Sequence, residues 1–426
     1  MAFTALCIAF MVLMILRCPI GFSMGISCLL YFLLADRFPL MVLAHQLSSG
    51  IMSYTYLAIP FFILAGALMN QTGMTQRLFD FALSLVGSLR GGLCHVIIVA
   101  EIILSGISGS ATADAAGLST VSIGTMVQKG YPRGFSAGVV ASSAVLGPII
   151  PPSILMVIYA VIAECSVGKL FLGGFLPGFV IAFFLMALVY YTAVKYDFPR
   201  EEPTNARRIW TSFKAGWLAL FAPVVILGGI VIGVCTPTEA GAIAVAYSIL
   251  LGFLYREFNL RSLPKVLLES VETTALLMFV IATASVFGWI VVNEKISDLM
   301  VEALFAVSDN PWVIMILINL MLLFLGCFME TASVMIITIP IFVPIITKLG
   351  FDPIYFGVVM TLNVMIGTLT PPVGMVLYIT AHIAELPLAQ AVREILPFYV
   401  PLVLSLIVII FFPSITMILP DLLMGK

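Results

Sequence analysis

Leu146-Gly-Pro-Ile-Ile-Pro-Pro-Ser153 and Ile366-Gly-Thr-Leu-Thr-Pro-Pro-Val373 each lie inside an apolar run long enough to cross a bilayer. A proline pair beside glycine removes amide donors and clashes with the preceding turn, so each run predicts a helix broken at membrane depth. Unpaired backbone at that depth is tolerated only against protein or a water-filled cavity. Two such breaks in matching halves point to a ligand site near the bilayer midplane.

The surrounding composition fixes the class. With 62% hydrophobic residues, 9% charged and a mean hydropathy of +1.20, the chain reads as an all-α polytopic membrane protein. Its formal net charge of -2 gives nucleic acid nothing to bind. The seven cysteines form no CxxC and the three histidines no HExxH, which leaves metal and redox chemistry without a motif. The opening Met1-Ala-Phe-Thr lacks a basic segment and its hydrophobicity runs on to Leu34, so it reads as retained helix, with two short spans meeting at Pro19.

Two further stretches interrupt apolar runs. Ser105-Gly-Ile-Ser-Gly-Ser-Ala-Thr-Ala-Asp114 sits at the centre of about 93–129, and Gly326-Cys-Phe-Met-Glu-Thr-Ala-Ser333 at the centre of about 312–347. Small hydroxylic residues of this kind predict half-helices meeting at a polar tip, a re-entrant hairpin. The broken helices are expected at 134–163 and 352–384.

Hairpins and breaks recur as a set. Gly106 and Gly326 are 220 positions apart, as are Pro151-Pro152 and Pro371-Pro372, Gly130 and Gly350, and Leu176-Pro177 and Leu396-Pro397. With small gaps, Met156-Val-Ile-Tyr159 meets Met375-Val-Leu-Tyr378 and Ile162-Ala-Glu164 meets Ile383-Ala-Glu385. The chain therefore divides into a first repeat, 1–194, a hydrophilic cytoplasmic linker, 195–214, and a second repeat, 215–426. Basic residues in 195–214 and 256–265 against the acidic 293–310 loop make the repeats inverted in topology, with about ten full spans plus two hairpins and both termini outside.

A half-helix ending inside the membrane offers N–H groups to an anion at its start and carbonyls to a cation at its end. The candidate sodium- and substrate-binding residues of the first repeat are Ser105, Gly106, Ser108, Gly109, Ser110, Ala111, Thr112 and Asp114, with Gly147, Pro148, Pro151, Pro152 and Ser153 at the break. Those of the second are Gly326, Glu330, Thr331 and Ser333, with Gly367, Thr368, Thr370, Pro371, Pro372 and Gly374. Carboxylates this deep are functional by default, yet small residues also serve simply to pack helices. Glu239 in Thr236-Pro-Thr-Glu239 suits a helix cap as well as any ligand, and His95 and Glu101 suit contact with a partner helix. Gly106-Ile-Ser-Gly109 also matches a short intramembrane serine protease motif with His382 as base, a reading that leaves the paired breaks unexplained. A passive channel would share the polar tips without needing inverted hairpins.

Six stretches carry a resemblance over essentially the whole chain: Ala58-Ile-Pro-Phe-Phe-Ile-Leu-Ala-Gly66, Ser108-Gly-Ser-Ala-Thr-Ala-Asp114, Pro148-Ile-Ile-Pro-Pro-Ser153, Thr236-Pro-Thr-Glu-Ala-Gly-Ala242, Asp352-Pro-Ile-Tyr-Phe-Gly357 and Thr370-Pro-Pro-Val-Gly374. They resemble the large, DctM-like membrane subunit of tripartite ATP-independent periplasmic (TRAP) transporters. That resemblance implies a sodium-driven importer of a small organic anion, a sugar acid, keto acid or dicarboxylate, in a bacterial inner membrane. It implies as partners a small four-helix membrane subunit and a periplasmic substrate-binding protein, an elevator movement, membrane lipid as surroundings, and no cofactor beyond sodium. Relatives often carry Asp where Glu330 stands. The chain has no Gly-x-x-x-x-Gly-Lys-Ser/Thr loop for ATP, in keeping with an ion gradient as energy source and with a non-enzyme. A stand-alone carrier of the same architecture is the remaining transport alternative.

Overall fold

The computed structural model describes residues 2–16, 18–201, 204–257 and 261–425, and no strand occurs among them. Pro19 separates two short apolar helices, α1 (Ala2–Ile15) and α2 (Ile20–Ala35). A bent pair follows: α3 (Leu40–Ser49) and, after a 3-10 turn, α4 (Ala58–Gln71). Next comes α5 (Met74–Val86), an amphipathic helix. Hairpin 1 is α6 (Gly92–Ser108) and α7 (Ala111–Gln128), and the first broken helix is α8 (Arg133–Ser143) and α9 (Ile154–Ile162). The long α10 (Val167–Lys195) closes the first half.

The second half runs through α11 (Ala206–Val231), α12 (Pro237–Leu254), α13 (Leu263–Asn293) and α14 (Ile296–Val307). Hairpin 2 is α15 (Pro311–Phe328) and α16 (Thr331–Lys348). The second broken helix is α17 (Pro353–Gly367) and α18 (Met375–Ile383), followed by α19 (Leu388–Phe411) and α20 (Pro413–Met424).

Local chemistry sets many of the starts. Ser153, Ser166, Asn205, Thr236, Asn310, Glu330 and Asp352 each accept a backbone N–H of the helix they precede. At α12 the cap is reciprocal: Thr236 Oγ1 accepts from Glu239 N at 3.3 Å, and Glu239 Oε2 accepts from Thr236 N at 2.7 Å. Glu239 is thus a structural cap.

Packing between the halves follows the repeat. Where α12 packs on α4, α2 packs on α13; where α19 packs on α8, α10 packs on α17; where α18 packs on α7, α9 packs on α16. Each contact is answered by the one with both partners exchanged, as a two-fold relation between inverted repeats requires. The breaks contain matching cis bonds, Pro151-Pro152 and Pro371-Pro372. Their surroundings differ: residues 134–160 are buried throughout, whereas Pro371, Pro372 and Val373 are exposed.

Three details depart from the sequence expectations. Seven described helices are long and apolar enough to cross a membrane, eight if the bent α3–α4 pair counts as one; two of the seven, α15 and α16, are the arms of hairpin 2, which the expected ten or so full spans leave out. Pro19 and the two breaks, all read from the sequence, keep α1, α2, α8 and α17 shorter than a full crossing. The last residues of the basic 256–265 stretch already belong to the 31-residue α13, which runs on into the next apolar segment. The expected 293–310 loop contains α14, whose apolar residues recur at helical spacing.

Candidate functional site

The two hairpin tips meet at one cavity of about 850 Å³. Tip 1 contributes Ser108, Gly109, Ser110, Ala111 and Thr112; tip 2 contributes Glu330, Thr331 and Ser333; the breaks add Pro148 and Thr368. The opposite wall comes from Pro19 to Phe22 at the start of α2, from Ile63 and Gly66 in the marked stretch of α4 with Gln71 beyond it, and from Glu269, Ser270, Thr273 and Phe279 on α13, which no motif marked. No Lys, Arg or His is among the described residues lining it.

Tip 1 is held in shape by its own side chains. Gly109 takes a left-handed conformation, φ +59, between the two arms. A methyl group there would also lie 2.5 Å from Pro152 O, so the tip rests directly on the first break. Ser108 Oγ donates to Asp114 Oδ1 at 2.5 Å. Ser110 Oγ and Thr112 Oγ1 are 3.2 Å apart. Ser110 precedes α7 without capping it, which leaves the first N–H groups of α7 free of any side-chain cap. An anion is stabilised at such a start by the N–H groups and the helix dipole.

Tip 2 is built differently. Glu330 Oε2 accepts from Ser333 N at 3.2 Å and from Ser333 Oγ at 3.3 Å, so the start of α16 already holds a carboxylate of its own. Thr331 Oγ1 points at Met365 Sδ, 3.8 Å away, and Thr368 Oγ1 donates to Met365 O at 2.7 Å. The two tips are therefore unequal, one uncapped and hydroxylic, the other filled by Glu330.

The remaining expected residues support the cavity from behind. Ser105 Oγ bonds to the Glu101 carbonyl, and Gly106 lets the Pro223 ring of α11 approach. Asp114 is turned inward, where a methyl group on Gly147 would lie 2.6 Å from its Oδ2. Pro152 and Ser153 form the bed under Gly109, Pro151 lies beside Gly106, and Ser153 caps α9. Gly326 and Gly367 bring hairpin 2 onto the second break; Thr370 Oγ1 donates to Ile366 O at 3.0 Å; Pro371 and Pro372 lie at the surface; Gly374, φ +51, starts α18. Cysteine and histidine play no part in the lining, and no group of three His, Cys, Asp or Glu side chains among the described residues suits a multivalent metal. Neutral oxygens dominate the polar lining, a donor set suited to a hard monovalent cation and an organic anion.

Sequence reasoning missed Gln71, Glu269, Ser270 and Thr273. They are single polar residues in or beside apolar runs, a pattern that does not say what they face.

The chain matches the family described as the DctM component of the tripartite ATP-independent periplasmic transporter over residues 7–415. It is 40% identical over 408 residues to the sialic acid TRAP transporter large permease protein SiaM of Vibrio cholerae, covering 96% of each chain. To the C4-dicarboxylate TRAP transporter large permease protein DctM of Pseudomonas aeruginosa it is 40% identical over 400 residues, covering 94% of each. The fold is shared with Neisseria gonorrhoeae MtrF, with a TM-score of 0.60 at 15% identity over 88% of this chain and 85% of that one. These relatives are permeases, so the short Gly106 to Gly109 match does not make the chain a protease. With its hairpins, its paired breaks and a family match over nearly its whole length, the chain belongs to the DctM family, the multi-pass large permease subunits of TRAP transporters in bacterial inner membranes.

Proposed function

We propose that this permease imports a small organic anion together with sodium, by an elevator movement of the hairpins and broken helices against α1–α5 and α11–α14. The observation that carries the reading is the single cavity bounded on one side by both tips and on the other by α2, α4 and α13. Cargo there touches both bodies, and displacement of one against the other moves it. Hydroxyl oxygens of Ser110, Thr112, Thr331 and Thr368, with neighbouring carbonyls, supply a sodium cage, and the uncapped start of α7 supplies the carboxylate site. Asp114 and Gly147 act from behind as supports.

Family membership implies a small membrane subunit and a periplasmic binding protein as partners. A cargo among sugar acids, keto acids and dicarboxylates is supported by matching relatives named for sialic acid, for 2,3-diketo-L-gulonate and for C4-dicarboxylates. Sodium entry supplies the work: one charge moving inward is worth ~2.3 kcal/mol per 100 mV.

The test is uptake by the complex of permease, small subunit and binding protein in proteoliposomes, with and without an inward sodium gradient. Sodium-driven uptake that needs the binding protein and whose half-saturating sodium rises in Ser110→Ala and Thr368→Ala is the expected result. Uptake indifferent to sodium removes the cage, and uptake without the binding protein makes the chain a stand-alone carrier.

A further inference from the structure

The wall that α4 and α13 present to the cavity is polar, and its charge is already balanced. Its carboxylate, Glu269, pairs with Lys265 one turn earlier on α13, with Nζ and Oε1 3.8 Å apart. Lys265 itself is not part of the lining. The other polar groups of this wall are neutral. Ser270 is 6% exposed and lines the cavity, yet its Oγ has no hydrogen-bond partner among the described residues. Gln71 Oε1 accepts from Ser262 Oγ at 2.8 Å, which anchors the amide by its oxygen and leaves Nε2 to donate elsewhere. Thr273 Oγ1 donates to Glu269 O at 2.9 Å and so keeps its lone pairs for a donor.

Such a wall suits hydroxyl groups, which both donate and accept, and does not suit a second carboxylate. With one end of a dicarboxylate at the start of α7, its other end would meet neutral groups and the carboxylates of Glu269 and Glu330, with no cation in the lining to answer it. An unpaired charge in that position is costly. A purely aliphatic tail fails differently, because it leaves the Ser270 hydroxyl without a partner. A hydroxylated tail meets neither penalty. The space agrees, since about 850 Å³ lies toward the upper end of small-molecule sites, ~300–1,000 Å³, and exceeds what a four-carbon acid fills.

We propose that Gln71, Ser270 and Thr273 are specificity-determining residues that bind the hydroxyl groups of a polyhydroxylated monocarboxylate, and that the lack of a cation on this wall excludes dicarboxylates. This rests on the reading of the cavity as the cargo site. The labour is then divided between the walls: the tips hold the carboxylate, and α4 with α13 reads the uncharged remainder of the molecule.

The experiment uses the full chain with its small subunit in lipid nanodiscs, in sodium chloride and without the binding protein, so that selection by the latter does not enter. Thermal stabilisation is titrated with gluconate, with hexanoate, which has the same six carbons and no hydroxyls, and with succinate. Gluconate should half-stabilise wild type at a concentration about tenfold or more below the other two. Gln71→Leu, Ser270→Ala and Thr273→Val should each raise the gluconate value about fivefold and leave the hexanoate value unchanged, a split that a folding defect does not produce. Thr273→Arg supplies the missing charge and should bring succinate into the range of gluconate on wild type. Hexanoate or succinate as effective as gluconate on wild type, or variants that shift gluconate and hexanoate alike, would overturn the proposal and leave the carboxylate site at α7 standing. No response to any of the three acids would remove the cargo site and this proposal with it.

Discussion

Gly326 and Gly367 meet backbone to backbone: a methyl group on Gly367 would lie 2.7 Å from the Cα of Gly326, and one on Gly326 would lie 3.1 Å from the Cα of Gly367. Hairpin 2 and the second break thus approach as closely as two helices can, with no side chain between them. Backbone cannot yield as a flexible side chain would, so Gly367→Ala is expected to cost about 1–3 kcal/mol by overpacking and to abolish uptake. A thermal midpoint equal to wild type in detergent would show that the two elements separate freely.

Asn363 ties the same hairpin to the same broken helix. Its Nδ2 donates to Asn319 O at 2.9 Å and to Asn319 Oδ1 at 2.8 Å, both residues being buried. Asn363→Leu is expected to lower stability by about 0.6–1.7 kcal/mol, the range of polar contacts between helices in membranes. Asn319→Leu in the same chain should add less than its cost alone, because the shared contact is already gone. Strict additivity of the two thermal shifts would count against the bridge.

Glu330 serves as the cap of α16 at the tip of hairpin 2. Asp at this place keeps both the charge and the capping oxygen, so Glu330→Asp should retain most uptake. Glu330→Ala loses the cap, at about 0.5–2 kcal/mol, and frees the helix start for an anion. Equal activity in the Asp and Ala variants would show that the carboxylate has no part in the cycle.

Lys348, at the end of α16, donates to Asp298 Oδ1 on α14 at 2.6 Å, and this contact holds the Asp298 carboxyl below the usual carboxylate range. A carboxyl lowered in the folded state stabilises above its ordinary value, and the contribution disappears as pH falls through the lowered one. The midpoint gap between wild type and Lys348→Met should therefore be present at neutral pH and close on acidification. The pair is exposed, so the gap is small and shrinks with added salt. A gap that widened in acid would reverse the assignment.

The features legible in the sequence are those encoded by local chemistry. Pro151-Pro152 and Pro371-Pro372 forbid continuous helix, Gly109 permits the turn of tip 1, and Thr236 with Glu239 spells out a cap within four residues. What stayed hidden depends on residues far apart in the chain. Nothing near Ser270 or Gln71 states that α13 and α4 form the wall opposite the tips, and nothing near Asp114 states that it turns toward Gly147 instead of the cavity. The apolar positions of Ile296–Val307 were visible, but the four acidic residues of 293–310 suggested a loop where packing beside α13 and α16 makes a helix.

The unequal burial of the two breaks bears on how such a chain changes over generations. A duplicated segment starts with identical freedom in both copies. Residues 134–160 are now walled in on every side, so any alteration there disturbs several neighbours at once. Pro371 to Val373 touch the surroundings, and a substitution among them has far fewer contacts to satisfy. The proline pair nevertheless stands in both copies, so what keeps it is the interruption it forces on the helix and not the neighbours around it.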